Sequence, residues 1–234
     1  MGVKLGDAQI NGIVSSLEGI SDVNKKDLAI CYKLAIDSYH LAWRLPLTGS
    51  NWEQVVENIL SECNFEVITN ASKSHARGLD LESTFFNWIS CKGARIQYKS
   101  RSKCRRVDIS SYRLTGVSIT KENRIEMIKS FNFSFQYYFM SLYEIKNIVG
   151  GLKYIYSFYI IPRDSFLKMD NFFFEGHSDK SNIFDNIRLE IKVGCSQQLW
   201  ISVLDLSTLD NFRITTTEVD VLSEKKINLF TYNK

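Results

Sequence analysis

Histidine and cysteine are scarce in this chain and nowhere clustered. His40, His75 and His177 stand apart, and Cys31, Cys63, Cys91, Cys104 and Cys195 contain no C-x-x-C pair. An odd number of scattered thiols argues against a disulfide framework and a zinc site, and leaves reduced cysteines packed as small apolar side chains. Histidines without a partner at metal-ligand spacing weigh against histidine-based hydrolysis. Long apolar runs are also missing: Tyr154 to Ile161 is far shorter than the ~20 residues that a membrane-spanning helix needs. Met1 to Gly12 lacks the apolar core of a signal peptide, and Gly6 stands where a myristoylation motif has Ser or Thr. These absences lead to the expectation of a soluble, cytoplasmic protein with no membrane partner.

The chain has 234 residues, 44% of them hydrophobic, which suffices for one substantial core and suggests a single domain over 1–234. Net charge is only +3, but residues 71 to 106 hold nine basic side chains against Asp80 and Glu82, a local +7 that leaves −4 for the rest. Concentrated positive charge of this kind is either a solvated face or the footprint of a polyanion.

Apolar positions at helical spacing predict a helix over 28–44, closed by Pro46, and a second from Trp52 to Cys63 that Ser50 or Asn51 can cap. In the second, Trp52, Val55, Val56, Ile59 and Leu60 form one stripe, with Glu53 and Glu57 on a neighbouring face. Phe65 to Thr69 reads as a short strand and 70–78 as a polar loop. Leu79 to Ile89 and Ala94 to Ser100 read as the legs of a hairpin joined by Cys91-Lys-Gly93. Further on, 121–130 suits a short helix, and Phe135 to Val149 an aromatic one in which Phe and Tyr density obscures the period. Tyr154 to Ile161 reads as a strand buried on both faces. The last third suggests strands at Ile187 to Val193, Leu199 to Leu204 and Phe212 to Leu222. This order implies an α/β (α+β) fold, with a central mixed sheet flanked by helices.

On a strand from Ala94 to Ser100, Arg95, Gln97 and Lys99 share one face, because strand side chains alternate. If the hairpin legs pair, Asp80 can converge with Gln97 and Lys99. Phosphodiester hydrolysis uses such a set: a carboxylate to hold Mg²⁺, a second oxygen ligand, and an ammonium to orient water and offset charge growing on the phosphate.

Gly78-Leu-Asp80 followed by Ile96-Gln-Tyr-Lys99 resembles the motif of the PD-(D/E)xK nucleases in its QxK variant, with Leu79 where the family name has Pro. The helix at Trp52-Glu53, Phe65-Glu-Val-Ile68, Asp108 to Thr115, Tyr137-Tyr138 and Phe158 to Pro162 are similar to stretches of some type II restriction endonucleases. The likeness spans about 50–165, which makes 166–234 a recognition or dimerisation elaboration. It implies a restriction-endonuclease-like fold, Mg²⁺ as cofactor, double-stranded DNA as substrate, and a homodimer matching a palindromic site. It also implies metal binding by Asp80 and Gln97, and assistance to the nucleophile by Lys99. An amide oxygen is a weaker Mg²⁺ ligand than a carboxylate, so Glu82 or Glu53 is the candidate to complete the site.

Arg101, Lys103, Arg105 and Arg106 are candidates for phosphate contacts, and Ser111, Tyr112 and Arg113 for backbone or base edges. Two other readings fit the same residues. One is a modification-dependent or structure-specific nuclease, Mrr-like or a junction resolvase. The other is a non-catalytic DNA-binding protein, which needs no metal.

Overall fold

In a computed structural model, the described residues are 20, 22–70, 80–99, 104–113, 135–163, 187–192 and 198–222, with the backbone alone at 22–23, 50, 69–70, 99, 111–113, 187–192 and 198–199. The loop expected at 70–78 lies mostly outside them, and the helix expected at 121–130 entirely so, as do Arg101 and Lys103.

Among the described residues two helices precede the sheets: α1 (Asp22–Ala42) and α2 (Ser50–Glu62). Neither Ser50 nor Asn51 caps α2. The N-cap is Gly49 at φ 58°, without a side-chain cap bond, because the chain turns there through a backbone region that glycine enters without steric cost.

Ten strands follow among the described residues: β1 (Val67–Asn70), β2 (Leu81–Ser83), β3 (Asn87–Arg95), β4 (Gln97–Lys99), β5 (Cys104–Arg113), β6 (Tyr137–Ile148), β7 (Gly151–Pro162), β8 (Ile187–Lys192), β9 (Gln198–Val203) and β10 (Arg213–Leu222). They form a six-stranded sheet in the order β1-β2-β3-β6-β7-β10 and a four-stranded sheet in the order β4-β5-β9-β8. Within the larger sheet β3 and β6 run parallel and the other pairs antiparallel, so the mixed α+β architecture expected from the sequence is present.

Both faces of the larger sheet are covered. Leu28, Tyr32 and Ile36 of α1 and Trp52, Val56, Ile59 and Leu60 of α2 share one core with Ile89, Cys91, Phe139, Tyr156 and Phe158. Each such side chain contributes roughly 1.5–3 kcal/mol by leaving water. Polar ties also cross this layer: Trp52 Nε1 donates to Phe139 O at 3.0 Å, and the Tyr32 and Ser141 hydroxyls meet at 2.9 Å. On the opposite face Tyr138, Met140, Leu142, Tyr159 and Ile161 are fully buried, as are Val107, Ile201 and Val203 of the smaller sheet. Strand β5 contacts β3, and a short 3-10 helix (Leu206–Phe212) contacts β5 and β7, so the smaller sheet packs against this face.

Two expectations are corrected. The aromatic segment read as a helix over Phe135 to Val149 is strand β6, buried from Tyr137 to Tyr143 on both faces, which erases any period from its sequence. The hairpin lies elsewhere: its legs are β2 and β3, with Leu81 opposite Ile89 and Ser83 opposite Asn87. Its turn holds no Gly or Pro. Ser83 Oγ accepts from the amides of Phe85 (3.2 Å) and Phe86 (3.1 Å), and Asn87 takes φ 54°, a value Asn tolerates better than most residues. Cys91-Lys-Gly93, read as the turn, is therefore mid-strand. Strands β7 to β10 lie close to where alternation placed them, and no described helix is long and apolar enough to cross a membrane.

Candidate active site

Asp80 stands one residue before β2 and is drawn into the hairpin by its own amide, which donates to Ile89 O at 3.0 Å. Its carboxylate meets three successive residues of β3. Oδ2 accepts from Ser90 Oγ at 3.3 Å, from the Cys91 amide at 2.6 Å and from Lys92 Nζ at 3.2 Å. The Asp80 and Lys92 side chains are both largely buried, which strengthens their attraction relative to a surface pair and makes loss of one partner costly to the other.

A second carboxylate approaches from α2. Glu53, in the first turn, is half-buried and holds its proton more tightly than a free glutamate. Burial is the main cause, repulsion from Asp80 adds to it, and Lys92 works the other way. Glu53, Asp80 and Lys92 thus form one electrostatic group, with two acids and one base. The Cys91 thiol is pushed well up, first by burial and then by Asp80, which favours its neutral form in the core.

Placement of Glu53 depends on the segment before α2. Gly93 on β3 lies against that segment: a Cβ there would meet Thr48 Cα at 3.4 Å and Leu47 O at 3.6 Å. The segment is held by a relay of hydrogen bonds. The Leu47 amide donates to Tyr156 Oη at 3.0 Å, Tyr156 Oη lies 2.8 Å from His40 Nε2, and His40 Nδ1 lies 2.9 Å from Trp43 O. A carbonyl only accepts, so Nδ1 carries the proton of the neutral ring and Nε2 accepts from the tyrosine.

Most other site candidates lie in the smaller sheet. After Arg95 the chain leaves the larger sheet at Ile96, whose amide still donates to Tyr143 O at 2.7 Å, and enters β4 of the smaller sheet. There Gln97 faces Arg106 and Lys99 faces Cys104 across the ladder with β5. Gln97 is exposed. Glu82 lies two residues beyond Asp80, opposite Trp88, on the strand face that alternation gave it. Arg105 pairs with Glu144, and Arg106 donates to Asp108 Oδ1 through Nε (3.0 Å) and Nη2 (2.6 Å), with Ser202 Oγ also 2.5 Å from that oxygen. Ser111 to Arg113 continue β5.

Sequence reasoning therefore found Asp80 and Glu53 and missed Ser90 and Lys92. The available signal was the spacing Asp80…Ser90-x-Lys92, hidden because Gly93 had marked this stretch as a turn. Among the described residues no three His, Cys, Asp or Glu side chains form a group that could hold a metal unaided. No protein-family profile, curated protein or solved structure matches the chain.

Proposed function

We propose that the chain is a Mg²⁺-dependent endonuclease of double-stranded DNA, of the PD-(D/E)xK kind, with its centre at Asp80, Glu53 and Lys92. The observation that carries this reading is the meeting of Asp80 with Ser90 and Lys92 on the neighbouring strand. It repeats the acid…x-Lys pattern of that motif with Ser90 in the place of the second acid.

The residues present suit Mg²⁺. That ion keeps several waters and takes one or two carboxylates, which Asp80 and Glu53 would supply, whereas an all-protein cage would need a larger cluster, and none occurs among the described residues. When bound it would supply Lewis acidity at the phosphate and a more acidic water. Asp80 and Glu53 would hold the ion, with Lys92 already donating to Asp80 Oδ2. Lys92 orients the attacking water and offsets charge growing on the phosphate. Ser90 fixes the carboxylate rotamer. Glu82 serves as the reserve acid on the Asp80 face.

In this reading Lys99, Arg101, Lys103, Arg105 and Arg106 neutralise phosphates, Gln97 contacts the same backbone, and Ser111, Tyr112 and Arg113 contact the backbone or base edges. The type II restriction reading, with a homodimer on a palindromic site in the cytoplasm, follows from the same resemblance.

The test is incubation of the purified protein with phage DNA in Mg²⁺ or EDTA, beside Asp80→Asn. Discrete Mg²⁺-dependent fragments, absent in the variant, are expected. Cleavage only of methylated or branched DNA would favour the modification-dependent or structure-specific alternative. Binding without cleavage of any of these would favour the non-catalytic one.

A further inference from the structure

Two thiols meet where α1 packs on α2. Cys31 lies in the middle of α1 and Cys63 is the C-cap of α2, and both are free and half-buried. Their side chains share a hydrogen bond. The surroundings agree with that contact, since Cys31 lines an open groove of 490 Å³ between the helices together with Ile59 and Glu62 from the last turn of α2. The remaining cysteines lie elsewhere: Cys91 is buried in the core, Cys104 sits on β5 of the smaller sheet, and Cys195 is outside the described residues.

Adjacent thiols beside a solvent-filled groove are suited to capture, by one sulfur, of a sulfenic acid formed on the other. We propose that Cys31 and Cys63 form a reversible disulfide that clamps α1 to α2 when the protein meets a peroxide. Cys31, on the groove wall, is the sulfur that the oxidant reaches. Its thiolate attacks one oxygen of hydrogen peroxide, so that an S–O bond forms as the O–O bond breaks. The departing hydroxide takes up the proton that Cys31 gave, leaving the sulfenic acid and one water. The Cys63 sulfur then attacks the sulfenic sulfur, its proton passes to the departing hydroxyl, and a second water leaves as the S–S bond forms. Two thiols are oxidised, and one peroxide becomes two waters. Cys63 suits the second role: burial first, and the Cys31 thiol next, push it up to about 12, so it does not compete for the oxidant. Exchange with a small thiol reverses the bond. The reduced cysteines expected from the sequence are the resting state of this pair.

The experiment treats the reduced full chain with hydrogen peroxide for about an hour, within the range of thiol oxidation. Remaining thiols are alkylated and mapped by mass spectrometry, and the melting temperature is taken before and after. Two of the five thiols are expected to disappear first, with the cross-linked peptides joining Cys31 to Cys63. Because this bond closes a loop of about 30 residues in the unfolded chain, the oxidised protein should melt roughly 5 °C higher, and dithiothreitol should restore the original value. Cys63→Ser should stop at a Cys31 sulfenic acid that dimedone traps, with no rise in melting temperature. A different first pair, or none, overturns the proposal. A Cys31–Cys63 disulfide that forms only in urea overturns it too, as does an oxidised protein that melts no higher than the reduced one. The wild-type map decides the matter even where Cys63→Ser misfolds. Neither readout involves DNA, so the result is separate from that of the nuclease reading.

Discussion

Lys92 donates to Asp80 Oδ2 across 3.2 Å from the adjacent strand, whereas Lys99 stands seven residues farther on, in a strand of the other sheet. This relationship relocates the candidate centre. The acid expected from the sequence stays, its lysine partner changes, and the helix acid Glu53 becomes the second carboxylate. Each consequence below can be measured.

Glu53→Gln is expected to separate stability from activity. The folded pKa of Glu53 is raised, so its contribution to stability is fully present below the unfolded pKa and is lost as pH rises through the folded value. As pH rises toward 7 the wild type therefore loses stability that a neutral side chain at this position keeps. The amide variant should melt slightly higher than wild type at pH 7, with the difference shrinking toward pH 4. Its cleavage should fall roughly 10–100-fold, as for other supports of a metal site. Melting curves at the two pH values and a cleavage rate check both halves, and a variant less stable at pH 7 would contradict the electrostatic account.

His40 should make stability depend on acid. Burial is the first cause lowering its pKa, against the Trp43 carbonyl and Asp37, which raise it. A base with a depressed folded pKa contributes stability above its unfolded value near 6.5 that is lost as pH falls through the folded value. Protonation of Nε2 also removes the acceptor that Tyr156 uses. Urea midpoints should thus fall between pH 7.5 and 5.5 in wild type, and fall less in His40→Ala. Tyr156→Phe, which leaves the buried Leu47 amide without its partner, should cost about 1–3 kcal/mol at either pH.

Gly151, at the β6–β7 turn, admits no side chain in place. A Cβ there would lie 2.3 Å from Val221 O and 3.0 Å from Leu222 Cα, both backbone atoms of β10. Gly151→Ala should force the end of β10 outward at a cost of about 1–3 kcal/mol. Hydrogen exchange should accelerate at the amides of 219–222, and unchanged protection there would show that the turn yields instead.

The helices were legible because each buries one stripe, and the C-terminal strands because alternation and loop composition bound them. Strand β6 was not, since burial of both faces leaves Tyr137 to Tyr143 uniformly apolar or small and therefore without a period. The β2–β3 turn was hidden for a different reason. It is made by the Ser83 hydroxyl and a positive φ at Asn87, while Gly93, the residue that announced a turn, serves close approach to Thr48 within a strand. That single misplacement hid Lys92 and drew the reading to Lys99. The ion pair itself is a tertiary fact that spacing alone did not single out.

The most direct measurement is a Mg²⁺-dependent cleavage rate for wild type, Lys92→Ala and Lys99→Ala on the same DNA, with binding followed in parallel in Ca²⁺. The account predicts that Lys92→Ala loses at least about 100-fold in cleavage while still binding, and that Lys99→Ala cleaves at nearly the wild-type rate once DNA is saturating. Loss of cleavage in Lys99→Ala with Lys92→Ala still active would contradict it, and return the centre to the smaller sheet.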